Sequence, residues 1–254
     1  NNYGVGLPVA GKNQANWPIM QPLLANPDLN PGAADILQMA DLYQELIAIR
    51  YSSKLFRLET FDDVQQRVAF HNTGPDQLPG LIVMSISDEV GGEDLDQDRD
   101  ALFVLINAND QAQSFTIADA AGRYLSLHRV QQVSVDPVVR NSTFDRATGT
   151  FIIPARTTVV FEELIPAARI ENLIEDVQSL VDDGVLNEGQ GNALTVKLQG
   201  ALEKLNGGQD KAAVNQLDAF VNQVNAFVRS GKLTADHGQN LIDQAQLIIT
   251  QIEG

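Results

Sequence analysis

The period of the apolar positions changes twice along the chain. Between Ala33 and Ser52, Ile36, Met39, Tyr43, Leu46, Ile47 and Arg50 fall near a 3.6-residue period, and Leu37 and Leu42 widen the stripe. This pattern predicts a helix with one face that must be buried against something. From about Leu55 to Leu164 the pattern becomes short apolar runs divided by turn residues. VAFHN (68–72), LIVMSIS (81–87), ALFVLINA (101–108), SFTIA (114–118), YLSLHRV (124–130), FIIPA (151–155) and TTVVFEEL (157–164) read as strands. Pro79-Gly80, Gly91-Gly92 and Thr148-Gly149 mark turns, and the spacing suggests an antiparallel β-sandwich.

Pro166 ends that region, and the period returns to helical. Residues 167–254 repeat at a spacing of 47: Val181, Gly184, Leu186, Gly191 and Leu194 recur as Val228, Gly231, Leu233, Gly238 and Leu241. Each copy reads as helix, Gly-containing turn, helix, which gives helices near 167–182, 188–206, 210–229 and 235–252. Two such αα-hairpins bury each other's apolar faces as a four-helix bundle. At the other end, Pro8, Pro18, Pro22, Pro27 and Pro31 leave residues 1–32 reading as loop. The fold class expected is multi-domain α+β.

Composition narrows the chemistry. A net charge of −16 argues against a surface that binds nucleic acid or anionic membranes. No apolar run approaches the roughly 18 residues of a membrane span. The chain has no cysteine, which removes thiol nucleophiles, disulfides and thiolate metal sites. Its three histidines, His71, His128 and His237, lack metal-motif spacing. There is no G-x-S-x-G, HExxH, P-loop or dinucleotide fingerprint, so no cofactor is expected from motifs.

Two stretches nevertheless offer candidate sites. In SDEVGGEDLDQDRD (87–100), Asp94, Asp96, Asp98 and Asp100 alternate, as oxygen ligands for Ca²⁺ would. The helix-loop Ca²⁺ template fails, with Arg99 where Gly is needed and Leu105 where the bidentate Glu belongs. The stretch reads as a solvated acidic connection, with Ca²⁺ as the alternative. His71, at a strand end, and His128, within an alternating strand, read as structural or surface residues rather than catalysts. Phe220 and Phe227 read as a core stripe. Trp17 stands among Asn13, Gln14 and Asn16. It is either an aromatic platform for a sugar ring, with amides for its hydroxyls, or an anchor that ties the loop to the neighbouring helix.

NNYGVGLPVAGKNQANWPIMQPLL, ELIAIRYSSKLFRLET, QQRVAFHNTGPDQLPGLIVMSI and FIIPARTTVVFEE closely resemble the C-terminal part of bacterial pullulanases, α-1,6-glucan debranching enzymes of the α-amylase superfamily. The resemblance covers residues 1–165 almost continuously. It implies a division into the last loop and helix of a (β/α)8 catalytic barrel (1–53), a C-terminal β-sandwich (54–165) and the helical repeat (166–254). That last part is similar to a small module of extracellular bacterial hydrolases.

The family's catalytic carboxylates all precede the segment matched by residue 1, so the resemblance implies no catalytic residue in this chain. It places Asn1, Asn2, Asn16 and Trp17 on the substrate face. It implies an α-glucan partner, reached through the barrel of the parent enzyme, and an extracellular location. The expectation is a C-terminal portion of a debranching hydrolase, with residues 1–20 a barrel-rim loop that lacks a fixed shape without its barrel. The alternative is a stand-alone carbohydrate-binding or cell-surface protein. The two differ in one feature: a portion leaves the apolar face of helix 33–52 exposed, whereas a stand-alone protein covers it.

Overall fold

The structure, a computed structural model, describes residues 6–90 and 92–254. The proline-rich start is more ordered than its composition suggests. It forms one short turn, α1 (Ala10–Asn13), and a nine-residue helix, α2 (Trp17–Ala25). Pro18 occupies the first turn of α2, where a missing N–H costs nothing, and Pro22 deletes only a bond back to Pro18. The prolines therefore shape this segment rather than abolish its helices.

Helix α3 (Ala33–Ser52) follows the expected bounds. The Asp35 carboxylate accepts the Gly32 N–H at 2.7 Å and fixes its start, and extended Ser53 ends it. Next comes α4 (Phe61–Arg67), which the sequence reading missed. Thr60 caps it by accepting the Asp63 N–H at 3.0 Å. That helix shortens the first expected strand to β1 (Val68–Phe70). Strands β2 (Leu81–Ser87), β3 (Arg99–Asn107) and β4 (Gln113–Thr116) come next, within one or two residues of expectation.

The expected strand 124–130 is the main error. Only β5 (Ser126–Leu127) pairs, and the chain then turns into α5 (Arg129–Gln132). His128 causes the turn, because its Nδ1 accepts the Val130 N–H at 3.2 Å and caps the helix. Strands β6 (Thr143–Asp145), β7 (Thr150–Ile153) and β8 (Thr157–Leu164) complete this region, β6 being absent from the sequence reading.

All strand pairings among the described residues are antiparallel. One sheet runs β1-β2-β3-β8-β5 and the other β4-β7-β6. Alternation assigns the faces of the larger sheet: Val83, Leu105 and Val159 lie in register and point toward the smaller sheet. Phe103 and Phe161 meet Phe151 of β7 there, with ring centroids 5.6 and 5.3 Å apart. On the opposite face, Ile86, Leu102 and Val160 are covered by Ile49 of α3 and by Leu55.

Beyond Ile165 come α6 (Pro166–Asp182), α7 (Glu188–Asn206), α8 (Asp210–Arg229) and α9 (Ala235–Glu253), close to the expected spans. They enclose one apolar core in which Leu173, Leu194, Phe220 and Leu241 are buried. Gly184 and Gly231, 47 residues apart, both take the left-handed conformation, φ 72° and 69°, at the turns after α6 and α8. No helix among the described residues is long and apolar enough to cross a membrane.

Candidate functional site

Trp17 and Asn16 stand together at the start of α2. The Trp17 indole N–H donates to the Pro8 carbonyl at 2.8 Å and closes residues 8–17 into a compact turn. Trp17 is thus tied within its own segment and is half-buried. Its single donor is used, so only the ring face remains for a ligand. Asn16 is exposed, and its side chain makes no capping bond. Asn1 and Asn2 lie outside the described residues.

The acidic stretch is organised around arginine. Arg67, at the end of α4 and fully buried, pairs with the Asp88 carboxylate. That carboxylate also accepts the Leu95 N–H at 3.0 Å and the Asp96 N–H at 2.7 Å. Asp96 in turn accepts the Asp98 N–H at 3.2 Å and faces Arg99 at 3.3 Å. Asp94 and Asp98 are exposed. Among the described residues, no group of three or more His, Asp or Glu side chains converges to hold a metal ion, and Asp94, Asp96, Asp98 and Asp100 form no cage. The stretch connects β2 to β3 with Asp94 and Asp98 facing solvent, and it is anchored beneath by the buried Arg67–Asp88 pair. Sequence offered no signal for this, because Arg67 and Asp88 are brought together by strand pairing.

Each strand-region histidine meets a serine hydroxyl. His71 Nε2 contacts Ser85 Oγ at 2.8 Å beside the sheet edge, and burial lowers its pKa against the pull of Asp119. His128 is buried, with Nε2 3.0 Å from Ser52 Oγ. Because its Nδ1 accepts, Nε2 carries the proton and the ring is neutral. Burial lowers its pKa, although Glu162 pulls the other way.

The most distinctive surface is α3. One flank is fastened down: Ile49 is buried, Glu45 accepts the Ser134 hydroxyl at 2.6 Å and the Val135 N–H at 2.8 Å, and Ser52 meets His128. The other flank presents its apolar stripe outward. Met39 is 65% and Tyr43 66% exposed, with Ile36, Leu37, Leu46, Ile47 and Tyr51 also open. Ile19 and Leu23 of α2 are exposed as well. Exposed apolar faces of this extent are the kind that mark interaction surfaces.

Comparison with known proteins gives the class. Residues 1–164 match the family described as "Alpha-1,6-glucosidases, pullulanase-type, C-terminal", and residues 170–250 match the FIMAH domain. The chain belongs to the pullulanase-type α-1,6-glucosidase C-terminal family. It is 44% identical over 167 residues to Pullulanase 1, chloroplastic, of Arabidopsis thaliana, covering 64% of this chain and 17% of that protein. It is 37% identical over 163 residues to a pullulanase of Klebsiella pneumoniae, covering 64% and 15%. A crystal structure of PulA from Klebsiella pneumoniae in complex with maltotriose matches at a TM-score of 0.54 and 34% identity, over 63% of this chain and 17% of that one. The chain thus spans less than a fifth of the length of these relatives and corresponds to their C-terminal part.

Proposed function

We propose that this chain is the non-catalytic C-terminal portion of a debranching hydrolase that cleaves α-1,6-glucosidic bonds, and that it seats on the catalytic (β/α)8 barrel through α3. The observation that carries this reading is the outward apolar face of α3, from Ile36 to Tyr51, on a helix whose other flank packs on the larger sheet through Ile49 and bonds to Ser134. A stand-alone protein would leave that face wet at a cost of about 25 cal/mol for each Å² not buried. The likeness to the C-terminal part of pullulanases supplies the barrel as the covering body.

On this reading residues 1–53 complete the barrel, 54–165 form a β-sandwich that stabilises it, and 166–254 are a four-helix bundle appended to it. Its partner is an α-glucan such as pullulan, and the parent enzyme is extracellular. Asn1, Asn2, Asn16 and Trp17 face the glucan, with the Trp17 ring as the stacking surface. The half-buried ring with its N–H already engaged supports a stacking role over a hydrogen-bonding one.

Sedimentation velocity and dye binding by the isolated chain test the α3 interface. The parent chain self-associates or binds a hydrophobic dye, and Met39→Glu with Leu46→Glu abolishes both without loss of helix signal. A monomeric parent that binds no dye removes the interface. Affinity electrophoresis in pullulan tests the loop separately. Unchanged retardation of Trp17→Ala takes Trp17 out of the glucan-facing set.

A further inference from the structure

The α6–α9 unit meets the sheets through contacts that come from both sides. Arg129, on α5, reaches out to the Asn172 carbonyl at 3.0 Å and to Asp176 at 2.6 Å, both on α6. Gln244 of α9 holds the same Asp176 at 2.9 Å. In the reverse direction, Arg169 in the first turn of α6 points back into the sheet unit. It is 7% exposed and donates to the carbonyls of Tyr124 and Leu164. The last turn of α9 closes the far end: Tyr124 Oη donates to the Thr250 carbonyl at 2.8 Å, and Gln251 to the Leu164 carbonyl at 2.9 Å. Arg146 lies 3.7 Å over the Tyr124 ring and holds it in place.

The connection itself leaves no slack. Strand β8 ends at Leu164 and α6 starts at Pro166, with Ile165 the single residue between them. The Ile165 N–H is bonded to the Asp98 carbonyl at 3.0 Å, and the proline ring fixes the next φ. Units of one chain joined by a flexible linker and a modest interface are expected to move relative to one another. Here the start of the first helix and the end of the last are both pinned.

The internal repeat supplies an independent control. At the 47-residue spacing, the positions equivalent to Asp176, Gln244 and Gln251 are Gln223, Lys197 and Lys204. The core positions repeat, yet these do not. The polar clasp therefore belongs to the α6–α9 seam and is not a general property of the repeat.

We propose that the helical unit is docked on the sheet unit as a fixed extension, the α6–α9 seam being a surface specialised for that one partner within the chain. The unit then carries the α7–α8 side in a set direction relative to α3, since Ser134 and His128 beside α5 also hold α3. This holds whether or not the glucan reading above is right.

The absence of cysteine makes the test direct. Spin labels at Ser114→Cys and Gln199→Cys, both exposed, report the separation of the two units in the full chain by pulsed electron resonance. The expected result is one narrow distance peak that spreads into several when Arg129→Ala and Tyr124→Phe are combined, with the far-ultraviolet helix signal unchanged. A broad distribution in the parent overturns fixed docking. A narrow peak left intact by the double variant overturns the assignment of the clasp.

Discussion

Gly191 and Gly238 occupy the same place in the two repeats, each where the second helix of a hairpin crosses the first. A Cβ on Gly191 would fall against Cγ2 of Val181, and one on Gly238 against Cγ2 of Val228, both well inside the 3.4 Å at which such contacts become ordinary. Valine in a helix holds essentially one χ1 rotamer, so neither side chain can rotate away. Overpacking of this kind costs about 1–3 kcal/mol. Against it stands the gain from replacing a helical glycine by alanine, about 1 kcal/mol. Gly191→Ala alone is therefore expected to be neutral to destabilising by about 2 kcal/mol. In a Val181→Ala background the clash is gone, and the same substitution stabilises by about 1 kcal/mol. A double-mutant cycle by urea denaturation, followed by circular dichroism, reads the difference as a coupling of about 1–3 kcal/mol. Gly238 with Val228 gives a matching cycle. If Gly191→Ala stabilises equally in both backgrounds, the close approach is absent and the hairpin geometry argued here is wrong.

Two further predictions concern pH. His128 has its pKa lowered by burial from 6.5, so the unfolded chain binds the proton more tightly than the fold. Stability is then full above 6.5 and falls as pH drops toward the folded value, at up to about 1.4 kcal/mol per unit. His128→Asn keeps a capping side chain and should flatten part of the slope between pH 7.5 and 5.5; His71 contributes with the same sign. A slope unchanged in His128→Asn contradicts the assignment. Asp100 is opposite in sign: burial first, then the charges of Glu163 and Glu89, raise its pKa above 3.8. Its ionisation costs stability as pH rises through 3.8 to the folded value, so Asp100→Asn should be more stable than the parent at pH 7, an advantage lost below pH 3.8. A variant weaker than the parent at pH 7 refutes this.

The sequence carried some of this fold clearly. The 47-residue spacing located four helices because apolar residues at matching positions, Leu173 with Phe220 and Leu194 with Leu241, fill one core. Strands β2 and β8 were legible because their apolar runs end at turns. Strand β5 was misjudged because His128, read as one more alternating position, is a helix cap that ends the pairing after two residues. Helix α4 escaped notice because its signal is the Thr60–Asp63 cap rather than a long apolar period. The acidic stretch suggested oxygen ligands, but its order comes from Arg67, which lies 21 residues before Asp88 and leaves no local mark. Of the two outcomes set for the face of helix 33–52, uncovered in a portion or covered in a stand-alone protein, Met39 and Tyr43 show the uncovered one.

The most direct test is the size and activity of the natural polypeptide that carries this sequence, read with an antibody to residues 166–254 on a pullulan activity gel. The account predicts a band well above 27.6 kDa that coincides with pullulan hydrolysis. An antibody-reactive species of 27.6 kDa, folded, monomeric and separate from any such activity, would contradict it.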